Sequence, residues 1–199
     1  MVFHSNYTTF ATKLTFMLEL KDATLTVQGR QILNRLSLMA HEGQMTCITG
    51  PKGSGKSLLL KVMIGFVKLD EGLVSVDGEL VTELSAYAFR RKMAYVPQVT
   101  GEPQTDRSQA PFVPTTDDME TVWSGEALPA WEPKAIEQPV VTIQDKAIVL
   151  ADNPSVSMLS QLRALANEGR TVVVTSNEET FLNMSDKIIT LGEHDHIYS

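Results

Sequence analysis

The run GPKGSGKS, residues 50–57, places glycines, a lysine and a serine at a spacing that suits phosphate binding. It fits the pattern G-x-x-x-x-G-K-[ST] at every fixed position. Glycines let the backbone curl so that its N–H groups point at phosphate oxygens, and the start of a helix adds partial positive charge. Lys56 would neutralise phosphate charge, and the Ser57 hydroxyl would bind Mg²⁺. The motif therefore predicts a site for a nucleoside triphosphate with Mg²⁺.

Such a site requires a carboxylate that holds the Mg²⁺ shell from a neighbouring strand. Asp152 is the candidate because it ends the apolar run AIVLAD, residues 147–152, which is typical of a buried parallel strand. An aspartate at a strand end can also cap the next helix, and that alternative stays open. The sequence thus pairs Asp152 with Ser57 as candidate metal ligands.

The elements that position these residues are short strands that alternate with helices. Alternating apolar and polar residues predict strands at 17–28 and 33–39 and a hairpin at 72–81 that turns at Asp77-Gly78. Compact apolar runs predict buried strands at 44–49, 93–96, 147–150, 171–175 and 187–191. Helical spacing marks 57–66, 84–91 and a segment with Leu159, Leu162 and Ala166 on one face. This order predicts an α/β fold, a parallel sheet with an antiparallel β portion at the N-terminus.

Composition narrows the class of protein. A net charge of −7 and a pI near 5.1 argue against a nucleic-acid binder. No apolar run approaches the roughly 18–20 residues that span a bilayer, and residues 1–16 are interpreted as an N-terminal extension rather than a leader. We therefore expect a cytoplasmic protein without direct membrane insertion. The sole cysteine, Cys47, lies in an apolar run and is expected to be buried rather than reactive.

Two long stretches resemble the nucleotide-binding subunit of ABC transporters. Residues 58–81 with RRKMAYVPQ, residues 90–98, are similar to the family's run from the first helix to the Q-loop. The stretches 148–155, 162–176 and 185–194 keep the family's later order. The resemblance implies a single P-loop NTPase (RecA-like) domain over 17–199, with a helical subdomain between Gln98 and Asp152.

The resemblance also implies ligands and partners. Gln98 would be the Q-loop glutamine that contacts Mg²⁺ or water. The predicted ATP-binding residues are Gly50, Pro51, Lys52, Gly53, Ser54, Gly55, Lys56, Ser57, Leu58 and Gln98, and the predicted metal-binding residues are Ser57, Gln98 and Asp152. The expected partners are a transmembrane permease subunit and a second ATP-binding subunit, with peripheral attachment at the inner face of the membrane as one form of the cytoplasmic location.

The chain departs from the family at the positions that carry catalysis. Asn153 stands where the family has a glutamate base, and Ser176 stands where it has the switch histidine. An amide cannot take a proton from water, and a missing general base typically costs about 10²–10⁴ in rate. Val27 falls at the position of the aromatic residue that stacks on adenine, and Leu159 at that of an aspartate. The sequence therefore assigns no catalytic residue.

The helical subdomain is the other departure. Residues 99–146 contain six of the nine prolines and nine acidic residues against three basic ones, so we expect a loop-rich insertion and a shortened, remodelled helical subdomain. No LSGGQ-like signature precedes Asp152; the nearest resemblance is the run WSGE at 123–126. Trp123 and Trp131 would suit either a docking surface or a decayed insertion.

Three functions are compatible with these residues. The first is an ABC-type ATP-binding subunit with weak or absent hydrolysis on its own. The second is a non-hydrolysing, ATP-dependent regulatory or structural module of a membrane complex. The third, a small-molecule kinase, would need a lid of arginines, whereas the segment after Gln98 has Arg107 alone before residue 146.

Overall fold

The computed structural model of the chain describes residues 17–98 and 143–192. The strands and helices, in chain order, are β1 Leu18–Val27, β2 Arg30–Ala40, β3 Met45–Thr49, α1 Lys56–Met63, β4 Glu71–Val76, β5 Glu79–Leu80, α2 Ala86–Arg90, β6 Met93–Val96, β7 Ile148–Asp152, α3 Leu159–Asn167, β8 Thr171–Thr175, α4 Glu179–Met184 and β9 Lys187–Thr190. Short 3-10 turns at Ile143–Asp145 and Val156–Met158 flank β7.

The N-terminal part forms an antiparallel sheet of order β2-β1-β4-β5. In β1 the leucines point mainly inward and charged residues outward, which is the alternation that a half-buried sheet requires. The β4–β5 hairpin turns at Asp77 and Gly78, whose φ angles of 55° and 80° suit the two central positions of a type I′ turn. This confirms the predicted hairpin and the antiparallel portion.

The second sheet is parallel, in the order β6-β7-β8-β3-β9. All five residues of β7 and of β8 are buried, because α1 and the antiparallel sheet cover one face and α3 and α4 the other. Parallel strands end at a common edge, so Thr49, Asp152 and Thr175 lie at the same side of the sheet. The α/β fold class with a parallel core is confirmed.

Several boundaries differ from those that the sequence predicts. The first helix ends at Met63 rather than at 66, because Gly65 adopts a left-handed φ of 75° and the amide of Phe66 bonds to the carbonyl of Lys61. Helix α4 was not predicted; its six residues are too few for a periodic signal. The predicted extension 1–16 and residues 99–142 of the predicted insertion 99–146, with both of its tryptophans, lie outside the described residues.

Cys47 is fully buried in β3, as expected from the sequence. Burial raises the pKa of its thiol to about 11, and a backbone hydrogen bond from Ser176 only partly offsets this. A thiol that keeps its proton is unreactive. Over residues 17–98 and 143–192, no helix has both the length and the apolarity to cross a bilayer.

Asp186 fastens the start of β9 to the start of β3. Its Oδ2 accepts from the amide of Met45 at 2.8 Å and from the guanidinium of Arg163 in α3, and its own amide donates to the carbonyl of Met45. The hydrogen bond from Arg163 is the main reason that the pKa of Asp186 lies below its ordinary value. A lowered pKa in the folded state means that the charged form stabilises the fold above the unfolded pKa and loses this effect as the pH falls.

We therefore predict a pH-dependent effect of Asp186→Asn. At neutral pH the variant should be less stable by about 1 kcal/mol, since the pair is partly exposed and screened. The difference from wild type should shrink below about pH 4, where the unfolded carboxyl protonates. Urea unfolding from pH 7 to pH 2.5 measures both effects, with the exposed Glu79→Gln as control. A stability difference that does not change with pH would contradict the charged pair.

Candidate functional site

The loop that connects β3 to α1 has the backbone curl that its glycines predict. Gly50, Gly53 and Gly55 have φ angles of 147°, 83° and 92°, and Gly55 is the residue that precedes helix α1. A Cβ at Gly50 would overlap the carbonyl oxygen of Leu191, and one at Gly55 would overlap the side chain of Ile32. Glycine is thus required by space as well as by conformation at two of the three positions.

Lys56 closes this loop on itself. Its ammonium group donates to the carbonyl oxygens of Gly50 at 2.6 Å and Pro51 at 2.9 Å. The charge of Lys56 therefore lies beside the first two residues of the loop. Because both partners are backbone carbonyls on the loop itself, the ammonium can exchange them for phosphate oxygens without a change in the fold.

Asp152 and Ser57 meet at the end of β7, as the sequence predicts. The Ser57 hydroxyl donates to Asp152 Oδ1 at 3.0 Å, and the carboxylate is only 5% exposed. Thr175 Oγ1 donates to the same oxygen at 2.6 Å, and the Tyr95 hydroxyl donates to Oδ2 at 3.3 Å. Three hydroxyl groups from three elements thus solvate a carboxylate that the sheet has removed from water.

Tyr95 is held in its neutral, donating form. Burial first, and then the charge of Asp152, raise the pKa of the Tyr95 phenol well above its ordinary value. The phenol therefore keeps its proton at every physiological pH and contributes no negative charge beside Asp152.

The residues fit a phosphate group with Mg²⁺. A hydroxyl and a carboxylate oxygen 3.0 Å apart form the hard-oxygen donor set that Mg²⁺ prefers when substrate phosphates and water complete its shell. The Ser54 hydroxyl is buried in the loop and has no hydrogen-bond partner among the described residues. It could therefore donate to a phosphate oxygen bound in the loop. Among those residues, no cluster of three or more acidic, histidine or cysteine side chains offers a metal site made of protein alone.

The sequence predicts altered catalytic positions at Asn153 and Ser176, and both residues lie at the same edge of the sheet but differ in access. Asn153 directly follows Asp152, is exposed, and has a left-handed φ of 44°, a conformation that asparagine tolerates better than glutamate. Ser176 is 1% exposed, and its hydroxyl accepts from the amide of Glu178 at 3.1 Å. The Ser176 side chain therefore closes its own turn and is not open to a ligand.

Asn177, the residue after Ser176, contacts the loop through its side chain. Its Oδ1 accepts from the Thr49 hydroxyl at 2.9 Å and from the amide of Gly50 at 3.2 Å. A backbone N–H can only donate, so the side-chain atom facing it must be the oxygen. Asn177 thus joins the end of β8 to the entry of the loop, a contact between residues 127 positions apart.

The remaining predicted residues surround the loop at varying depth. Pro51 and Lys52 are exposed, and Leu58 is partly buried and packs on the core. Gln98 is exposed two residues beyond β6, beside the end of β7, because Val96 pairs with Ala151. Val27, at the position where the resemblance predicts an aromatic residue, ends β1 with 39% of its surface exposed.

Known proteins are similar to this chain over part of its length. A family model described as ABC transporter matches residues 33–167. The chain is 36% identical over 84 residues to the Fe(3+) ions import ATP-binding protein FbpC 2 of Pectobacterium atrosepticum, covering 41% of this chain and 24% of that protein. It is also 36% identical over 84 residues to the hemin import ATP-binding protein HmuV of Rhizobium meliloti, covering 42% and 32%. The matched region thus spans about a quarter to a third of these curated relatives.

Solved structures share the fold. A nucleotide-free ATP-binding cassette from an ABC transporter has a TM-score of 0.63 at 17% identity, covering 89% of this chain and 88% of that one. A bacterial Atm1-family ABC exporter with ATP bound has a TM-score of 0.61 at 17% identity, covering 89% and 37%. At these identities the likeness concerns the architecture.

Alanine substitutions at Gly50 and Gly53 should distinguish steric overlap from backbone strain as the reason for glycine in the loop. A Cβ at Gly53 meets no atom within 4 Å, so alanine there should cost about 1–2 kcal/mol for its positive φ alone. Alanine at Gly50 should cost clearly more, because the overlapping carbonyl of Leu191 is backbone and cannot turn away. Urea unfolding of both variants measures the difference. Equal losses would show that the loop is not packed as described.

Proposed function

The chain belongs to the ABC transporter family, and from that membership we propose that it binds MgATP in the loop of residues 50–57 while hydrolysing it very slowly or not at all on its own. The observation that carries the proposal is the contrast at the end of β7. Asp152 faces Ser57 of the loop at 3.0 Å, whereas the next residue, where the family has its base, is the amide Asn153.

The binding half of the proposal rests on retained groups. Loop amides, the Lys56 ammonium and the start of α1 favour a triphosphate, and Ser57 with Asp152 would hold its Mg²⁺. When bound, Mg²⁺ would neutralise charge on the β- and γ-phosphates. The Ser54 hydroxyl has no hydrogen-bond partner among the described residues, and Gln98 follows β6, the strand that pairs with β7. The nucleobase would find only apolar contact at Val27, which forgoes about 1 kcal/mol of stacking.

The hydrolytic half rests on lost groups. Asn153 cannot accept a proton from an attacking water, and the buried Ser176 cannot supply the charge of a histidine. Asn177 reaches the loop but is an amide, not a base. Removing groups that act mainly in the transition state lowers turnover and leaves ground-state affinity largely intact. The site is therefore suited to holding a nucleotide more than to cleaving it.

Assembly would not repair both sites of a dimer. In this family each ATP lies between the loop of one subunit and the signature of the other. A homodimer would lack base, histidine and signature at both sites. With an intact partner, one site would pair a good signature with this chain's Asn153, and the other would face residues 99–146, whose sequence contains no signature.

We also infer where the chain acts and with which partners. As in the proteins that it resembles, the chain would act at the cytoplasmic face of a membrane with a permease subunit and a second ATP-binding subunit, within one domain over 17–199. The second candidate is a non-hydrolysing module in which ATP occupancy alone sets a conformation. This second candidate is favoured by the absence of three parts from the sequence: the base, the histidine and the signature. The two differ in one outcome: the first predicts that hydrolysis appears only with a partner, at the site that carries the partner's own base and histidine, and the second that no partner restores it.

Nucleotide binding is tested by calorimetry with MgATP. Wild type should bind, and Lys56→Ala should weaken affinity about 10- to 100-fold, because a charge-assisted hydrogen bond to phosphate is worth about 1.5–3 kcal/mol. Lys61→Ala, a lysine on the same helix but outside the loop, is the control and should bind normally. Unchanged affinity in Lys56→Ala would remove the loop from the proposal.

Phosphate release tests the missing base. Wild type alone should release phosphate at background rate, and Asn153→Glu should release it faster, by up to about 10²–10⁴-fold. Asn153→Gln has the same length without a base and should stay at background. Glutamate at this left-handed position should also cost about 1–2 kcal/mol of stability. Steady hydrolysis by the unmodified chain would overturn the inactive-site proposal.

A further inference from the structure

Thr175 occupies a junction that none of the sequence motifs assigns. It is the last residue of β8, is 1% exposed, and pairs in register with Asp152 of β7. Its hydroxyl donates to Asp152 Oδ1 at 2.6 Å and accepts from the amide of Asn153 at 2.9 Å. One side chain thus contacts both the candidate metal ligand and the residue at the position of the absent base.

The direction of the Thr175 hydroxyl proton is fixed by its neighbours. The amide of Asn153 can only donate, so it must point at a lone pair of the hydroxyl oxygen. The hydroxyl proton of Thr175 is therefore directed at the Asp152 carboxylate, which can only accept. The hydroxyl therefore has one orientation, and Asp152 Oδ1 is held at a short distance from a donor that is buried and cannot be replaced by water.

The same contact sets the turn after β7. The amide of Asn153 is shared between the Thr175 hydroxyl and the Thr175 carbonyl, each at 2.9 Å. Asn153 takes up its left-handed φ of 44° directly after this pairing. The Tyr95 hydroxyl steadies the other carboxylate oxygen of Asp152, more loosely, at 3.3 Å.

We propose that Thr175 is a positioning residue for the metal site: its hydroxyl aligns the Asp152 carboxylate so that Asp152 and Ser57 present oxygen ligands to a nucleotide-bound divalent cation. The inference rests on the proposed MgATP binding. Outer-shell hydrogen bonds to metal ligands commonly change metal affinity by about 10- to 100-fold. The Thr175 hydroxyl touches neither phosphate-binding amides nor Lys56, so its effect should be confined to the metal-dependent part of binding.

The test compares ATP affinity in excess Mg²⁺ with ATP affinity in EDTA, both by calorimetry on the full chain. The ratio of the two affinities isolates the contribution of the metal. Thr175→Val keeps shape and removes the hydroxyl, so the ratio should fall about tenfold or more while the affinity in EDTA stays at the wild-type value. Thr175→Ser keeps the hydroxyl and should restore the ratio.

Thr46→Val is the matched control. Thr46 is a fully buried threonine in β3 whose hydroxyl has no hydrogen-bond partner among the described residues, so its removal should leave the ratio unchanged. Thermal melting checks that each variant is folded, and Thr175→Ala takes the place of Thr175→Val if the valine does not fit. A wild-type ratio in the folded variant without the hydroxyl would overturn the inference, as would an equal loss of affinity in EDTA.

The inference and the proposed function fail differently. If wild type shows no affinity for MgATP at any concentration, the proposed function fails and the inference with it. If wild type binds with a clear gain from Mg²⁺ and the variant keeps that gain, only the role of Thr175 fails.

Discussion

The hydrogen bond from Ser57 to Asp152 joins the two halves of the site, which lie 95 positions apart in the sequence. Ser57 is placed by the start of α1 and Asp152 by the end of β7, so their 3.0 Å separation requires the helix to lie across the carboxyl edge of the sheet. Every other element of the site is positioned relative to this contact. The loop curls ahead of Ser57, and the residues that would act on a nucleotide follow Asp152.

A buried carboxylate needs compensation, and the sheet provides it with hydroxyl groups rather than with a cation. Hydroxyls of Ser57, Thr175 and Tyr95 all donate to Asp152. Neutral donors satisfy its lone pairs without cancelling its charge, so the carboxylate remains attractive to a divalent ion. A lysine or arginine in the same place would stabilise Asp152 more strongly, but it would also compete with the metal.

The edge of the parallel sheet brings together two sets of groups on which the proposed function rests. Loop, lysine, serine and aspartate form one connected set of contacts. Asn153 and Ser176, one residue beyond β7 and β8, are an amide and a buried hydroxyl, and neither can take a proton from water. Under the proposed function, binding would depend on the first set and turnover on the second, so the two could separate in one chain without any change of fold.

Local patterns in the sequence predicted much of the fold. The order of strands and helices, the Asp77-Gly78 turn and the burial of Cys47 all follow from periodicity and turn chemistry, which act over a few residues. The glycine spacing of the loop likewise predicted its backbone curl, since that curvature needs positive φ at fixed positions. Where signals are short or competing, as at α4 and the end of α1, sequence placed the boundary wrongly or not at all.

Tertiary structure decided the contacts between distant segments. Nothing local in the sequence indicates that Thr175 and Tyr95 both donate to Asp152, or that Asn177 rather than Ser176 reaches the loop. These contacts depend on the register of parallel strands, which brings the ends of β6, β7, β8 and β3 to one edge. The sequence alone thus determined which chemical groups are present at the ends of the strands. The pairing of strands determined which of them meet, because register is fixed by packing across the whole sheet rather than by any one segment.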